Sequence, residues 1–296
     1  MPALQNVFVL VASVLIFFLL VRWLEKQIVF HPSRYPEGLW QPEVFGVQAR
    51  DVTFLTADNL QLHGWYISHP EARGQILLCH GNAGHIGDRL ELLRLLHERV
   101  PAHLFIFDYR GYGRSEGNPS EKGVYEDAVA AFDWLQKKMP DLPIMVHGHS
   151  LGAAVAVDMA ARRPVDGLLL ESPFSNARDM ARLMFGKLPM HWLSSMQWAN
   201  DVKIKDLRMP KIFLHGSQDA TIPIELGQKL FHSAPSPKEF IAIDRADHNN
   251  LYVADDQAYF SAFSRLLDQS IAYHATSSSS SEMMRGAAVA TTPESK

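Results

Sequence analysis

Apolar residues follow three regimes along the chain. From Val7 to Val21 they are continuous, VFVLVASVLIFFLLV, interrupted only by Ser13. A run that is apolar on every face predicts a helix with no water-facing side. Extended over residues 4–24, it supplies about 20 residues at about 1.5 Å each, enough to cross about 30 Å of hydrocarbon. Arg22, Trp23 and Lys26 suit the membrane–water boundary. The start MPALQN lacks the basic residues of a cleavable signal peptide, and no small-residue cut site follows. A single-pass transmembrane anchor over 4–24 is therefore expected. With basic residues mainly after the span, the positive-inside tendency puts the following domain on the cytoplasmic side.

In the second regime, over 28–272, short apolar runs alternate with helical patterns. DVTFLTADNLQLHGWYI predicts two strands joined by a turn at Asp58 and Asn59. QILLC, HLFIF, PIMVH, GLLLE and KIFLH are each short and nearly continuous, as strands buried on both faces of a parallel sheet are. A last strand is expected near 239–243. Helical patterns cover 86–99, 121–138, 151–163, 223–232 and 251–271. The alternation predicts an α/β fold with a mostly parallel central sheet and helices on both faces. One insertion, about 174–208, breaks the rhythm with Met180, Met184, Leu188, Met190, Trp192 and Trp198. Part of it must pack on the core. Following a sheet strand, it also reads as a small lid over the carboxyl edge, where ligands bind.

The third regime begins near Ala275, where TSSSSSEMMRGAAVATTPESK has no apolar period. A disordered tail over 273–296 is expected, because such a composition cannot offset the entropy of ordering.

Composition narrows the function. Hydrophobic residues make up 47% of 296, enough for one sizeable core. The 28 basic residues against 32 acidic ones leave a formal charge of −4 with no basic stripe, which argues against a nucleic-acid partner. The single cysteine, Cys79, permits neither an intrachain disulfide nor a thiolate zinc cluster, and its place in QILLCH reads as packed core. His147 and His149 flank Gly148 as structural rather than metal-binding residues. No metal and no cofactor is expected.

Two stretches carry the spacing G-x-S-x-G: GHSLG around Ser150 and GRSEG around Ser115. A serine nucleophile must stand clear of its own backbone and have a base beside it. Ser150 meets the first need, since PIMVH is a strand, LGAAVAVDMAARR a helix, and Gly148 and Gly152 allow the tight turn between them. Ser115 lies in a loop that no strand enters directly, so it reads as structural. In this fold class the acid and then the histidine follow the serine. Asp219 in KIFLHGSQDATIP and His248 in DRADHNNL stand after successive strands and fill those places. Asp244 and Asp247 are rival acids, but their nearness to His248 gives them a loop role. For the oxyanion, the Leu151 amide at the helix N-terminus is one donor. HGNAG supplies the second, from Asn82 or Ala83, a choice the sequence leaves open. That loop lacks the lysine and hydroxyl of a phosphate-binding loop.

Together HGNAG, DYRGYGRSEG, GHSLG, GSQD and DHNN resemble the α/β-hydrolase superfamily over about residues 28–272. With the N-terminal span and VFHPSRYPEG, the chain is similar to the membrane-tethered, bud-emergence-related and serine-aminopeptidase-like branch. The resemblance implies a Ser150, Asp219 and His248 triad and makes the Ser115 loop a structural signature. It departs from the family at Asp247, where a glycine is common, and at Asn250, where an acid is. The expected activity is hydrolysis of esters or thioesters of acylated, lipid-like substrates through an acyl-enzyme. The alternatives are an amidase or aminopeptidase, and a non-catalytic tethered binding module of the same fold.

Overall fold

The computed structural model describes residues 2–186 and 194–289. Eight strands form one sheet: β1 Ala49–Leu55, β2 Gln61–Ile67, β3 Gln75–Cys79, β4 His103–Phe107, β5 Ile144–His149, β6 Gly167–Glu171, β7 Lys211–Gly216 and β8 Lys238–Ile243. Their spatial order is 8-7-6-5-3-4-2-1. β2 runs antiparallel to β1 and β4, and every other pairing is parallel. All the predicted strands are present. Asn59 takes the left-handed conformation, φ 61°, that its turn requires.

Because side chains alternate across a strand, the sheet separates two cores. Leu77, Phe105, Val146, Leu168 and Phe213 face one side, covered by α3 (Glu121–Lys138) and α4 (Leu151–Ala160). Ile76, Ile106, Met145, Leu169 and Leu214 face the other, covered by α2 (Leu90–Arg99) and α9 (Asp256–Val289). Strands buried on both faces explain the unbroken apolar runs.

Ahead of this domain, α1 spans Pro2–Val29 as one continuous helix, and its large apolar side chains from Val7 to Leu20 are exposed. The insertion contributes α5 (Ala177–Phe185) and α6 (Asn200–Lys203), with Met196 and Trp198 buried in the core. Four of its apolar residues, Leu188, Met190, Trp192 and Leu193, lie outside the described residues. α7 (Ile224–Ser233) packs behind β7.

The C-terminal helical region differs from expectation in two ways. The last helical pattern divides into α8 (Leu251–Ala254) and α9, because Asp255 is non-helical and its carboxylate caps the Ala258 amide at 2.9 Å. Beyond residue 272, where a disordered tail was expected, α9 continues to Val289. Extending a helix costs far less than starting one, and no proline intervenes before Pro293. Tyr273 packs against the core, and His274 Nδ1 lies 3.0 Å from Asp166 Oδ1, so the domain extends past its predicted end. Residues 290–296 of the expected tail lie outside the described residues.

Candidate active site

Ser150 occupies the turn between β5 and α4 with φ 56°, a left-handed conformation rare for a non-glycine residue. The turn closes so tightly that its glycines have no substitutes. A Cβ on Gly148 would lie 2.3 Å from the Gly152 carbonyl oxygen, and one on Gly152 only 2.0 Å from that of Cys79. The backbone folds sharply there, and the Ser150 hydroxyl projects from it.

His248 reaches this hydroxyl from the loop after β8, with Nε2 3.0 Å from Ser150 Oγ. Its other nitrogen, Nδ1, lies 2.7 Å from Asp219 Oδ2, on the loop after β7. A proton on Nδ1 donates to the carboxylate, which leaves Nε2 to accept from the serine. Ser150, Asp219 and His248 are 6 to 9% exposed, so the relay is shielded from water.

Asp219 is held by more than the histidine. Its Oδ1 accepts from the Thr221 and Ile222 amides at 2.9 and 2.8 Å, and His215 Nε2 stands 3.4 Å from Oδ2. Burial by itself would raise this carboxyl. Hydrogen bonds from His215, His248 and the Ile222 amide outweigh it and keep the group far below the usual carboxylate range. It is therefore a fixed negative charge beside His248.

The HGNAG loop lies against the serine, since a Cβ on Gly81 would be 3.7 Å from the Ser150 Cβ. The Gly81 carbonyl accepts from His80 Nδ1 at 2.8 Å, and the Asn82 carbonyl accepts from the His31 amide at 2.9 Å and the Tyr112 hydroxyl at 2.7 Å. Leu151 opens α4, where helix amides have no intrahelical acceptor.

The rejected serine is engaged elsewhere. Ser115 Oγ donates to the Asp108 carbonyl at 2.7 Å and accepts from the His63 amide at 2.9 Å. Asp247 is likewise a loop builder, capping the Asn249 and Asn250 amides at 2.8 and 3.1 Å. Asp244 is exposed and lies beside Arg245. Neither aspartate faces the imidazole of His248 in a hydrogen bond.

Several supporting residues were not identified from sequence. Buried Glu171 accepts from His147 Nε2 at 2.8 Å and from the Tyr259 hydroxyl at 2.7 Å. Burial alone would raise its carboxyl, but the His147 hydrogen bond and nearby His149 hold it down at about 2. His80 and His149 are pushed down to about 4 by burial, so both are neutral at pH 7. No local spacing announces Glu171 or Tyr259, because they meet only through the sheet; His215 stands four residues before Asp219, close enough in KIFLHGSQD to have been read as its support.

Comparisons with known proteins agree with this architecture. Residues 70–203 match the family described as Hydrolase_4, serine aminopeptidase, S33. The uncharacterized protein Rv2307c of Mycobacterium tuberculosis is 33% identical over 266 residues, covering 88% of this chain and 92% of that protein. A relative in Macaca fascicularis, the lysophosphatidylserine lipase ABHD12, is 37% identical over 185 residues, covering 56% of this chain and 46% of the relative. The match thus spans about half of that lipase. Among solved structures, the Pyrococcus furiosus esterase Pf2001 superposes with a TM-score of 0.67 at 23% identity, covering 81% of this chain and 99% of the esterase. That identity supports the fold alone. By its fold, its motifs in order and a relative that it matches over nearly the full length, the chain belongs to the α/β-hydrolase superfamily.

Proposed function

We propose that this protein is a membrane-anchored serine hydrolase that cleaves carboxylic esters or thioesters of acylated, lipid-like molecules. The observation that carries the reading is the relay from Ser150 Oγ through His248 to Asp219, with contacts of 3.0 and 2.7 Å. His248 Nε2 takes the serine proton as Oγ attacks the substrate carbonyl, and the imidazolium that forms is stabilised by the Asp219 carboxylate. The Leu151 and Asn82 amides stabilise the oxyanion. Collapse of the tetrahedral intermediate breaks the bond to the leaving alcohol or thiol, which receives the proton from His248. Water, deprotonated by His248, then releases the acid and restores Ser150.

The class of substrate is supported by location and by kinship. Residues Gln5–Val29 are long and apolar enough to cross a membrane, and their most apolar 18-residue stretch is not buried against the domain. We infer that α1 anchors the chain through residues 4–24 and, from Arg22 and Lys26 at the C-terminal edge of the span, that the domain faces the cytoplasm. The described part of the insertion, with Leu183 and Met184 exposed on α5, suits a lid that meets acyl chains. The lipase among the relatives supports an amphiphilic ester as substrate.

The matched family description favours one rival reading, an amidase or aminopeptidase. Turnover of p-nitrophenyl esters of increasing acyl length, set against peptide amides under the same conditions, tests the choice. Hydrolysis of esters with a preference for some acyl length is expected, and turnover of amides alone contradicts the ester reading.

A further inference from the structure

The end of α1 nearest the domain is bound to it at three places. Phe30 is buried, and its ring lies 6.2 Å from that of Trp198. Glu25, one turn before the helix ends, accepts hydrogen bonds from the Ser195 amide at 3.0 Å, the Ser195 hydroxyl at 2.5 Å, the Met196 amide at 3.2 Å and the Ser194 hydroxyl. The third contact is to the HGNAG loop. Asn82 Nδ2 donates to the Val29 carbonyl at 3.0 Å, the His31 amide returns a bond to the Asn82 carbonyl at 2.9 Å, and His31 and Pro32 pair in parallel with Ala83 and Gly84.

We propose that this exit turn of the N-terminal helix is a working part of the active site: Glu25 docks it on the insertion, and through that docking Val29 holds the Asn82 side chain and His31 the Asn82 carbonyl, so that together they fix the HGNAG loop carrying the oxyanion amide. The inference rests on the reading of Asn82 as an oxyanion donor. In a trans peptide the N–H points opposite to the C=O, so a loop amide is aimed by fixing its carbonyls. The Asn82 amide is fixed through the Gly81 carbonyl, which His80 holds. The next peptide is fixed through the Asn82 carbonyl, which His31 and Tyr112 hold. A glycine-rich loop without these ties samples many directions, and an oxyanion donor aids the reaction only when it is aimed beforehand.

The docking also sets where the chemistry occurs. Val29 follows the last residue of the apolar run, Val21, by eight positions, about 12 Å of helix. The loop tied to Val29 is thus held close to the edge of the hydrocarbon, within reach of an ester whose acyl chain remains in the membrane. Glu25 and the Asn82 side chain are positioning groups, since neither touches the reacting atoms.

The test uses the full chain in detergent micelles, with p-nitrophenyl butyrate as substrate and a fluorophosphonate probe. Glu25→Ala and Asn82→Ala are each expected to lower kcat and the labelling rate about tenfold or more, with KM within about twofold, because an aimed donor matters in the transition state. The double variant is expected to be little worse than either single one, since both break the same linkage. Glu25→Gln retains an acceptor oxygen and recovers part of the rate. A melting temperature and an oligomeric profile for each variant separate a lost fold from a lost rate. Wild-type kinetics in folded single variants, or purely multiplicative losses in the double variant, overturn the proposal. A wild type that neither labels nor hydrolyses any ester overturns the serine-hydrolase reading, and this inference with it.

Discussion

His149 Nε2 lies 3.0 Å from the backbone carbonyl of His248. The residue before the candidate nucleophile thus holds the loop of the candidate base, and one bond ties two elements that are 99 positions apart in the chain. His149 is neutral at pH 7, so this is a donor bond from an N–H rather than an ion pair. His149→Phe retains the ring volume and removes the donor. We expect kcat on a short ester to fall about tenfold with little change in KM, since a displaced base acts on the chemical step. Steady-state kinetics at pH 8 checks this, and an unchanged kcat contradicts it.

The tight turn at Ser150 predicts a severe effect from a small substitution. Gly152→Ala would bring its Cβ 2.0 Å from the Cys79 carbonyl oxygen, a backbone atom that cannot move aside alone. Overpacking of this kind costs roughly 1–3 kcal/mol, and the movement of α4 away from β3 also shifts the Leu151 amide. Denaturant unfolding and labelling of Ser150 in the same sample should both decline.

Acid is expected to weaken the fold in two stages. His80 and His149, ordinarily near 6.5, are held down to about 4 by burial. The unfolded chain therefore binds more protons than the folded one below pH 6.5, and stability falls as pH falls from about 6.5 to 4. Glu171, lowered from 4.5 to about 2, adds a further loss from about pH 4.5 downward. The melting temperature should be highest above pH 6.5 and should fall steadily below it, less steeply near pH 5 in His149→Phe. A flat profile between pH 7 and 4.5 contradicts the account.

Cys79 is predicted to be chemically silent. It is fully buried at the end of β3, and burial pushes its thiol up to about 12. The native protein should resist iodoacetamide at pH 8 for as long as it remains folded, and should take up one equivalent in denaturant. Rapid labelling of the folded chain would show that β3 opens.

The strands were legible because burial on both faces writes an unbroken apolar run, as in QILLC and HLFIF. Ser150 was distinguished from Ser115 by context, strand before and helix after, and the two serines do have different surroundings in the structure. Less legible were residues whose partners lie far along the chain. Glu171 reads only as the polar end of GLLLE, although its meeting with His147 and Tyr259 depends on strand order and on how α9 crosses the sheet. Glu25 reads as one charge after a span, and its partners Ser194 to Met196 are about 170 positions away. The continuation of α9 over 273–289, where a disordered tail was expected, was illegible for a different reason. Lack of an apolar period says that a segment has nothing to bury, but not that an established helix must stop there.

The central claim is that Ser150 is an activated nucleophile and Ser115 is not. The most direct measurement is labelling of the full chain by a fluorophosphonate probe, comparing the wild type with Ser150→Ala and Ser115→Ala, each shown to be folded. Ser115→Ala breaks two buried hydrogen bonds, so it should lose about 1–3 kcal/mol of stability and still label. The account predicts that labelling disappears in Ser150→Ala alone. Labelling that persists in Ser150→Ala, or that is absent from a folded wild type, would contradict it.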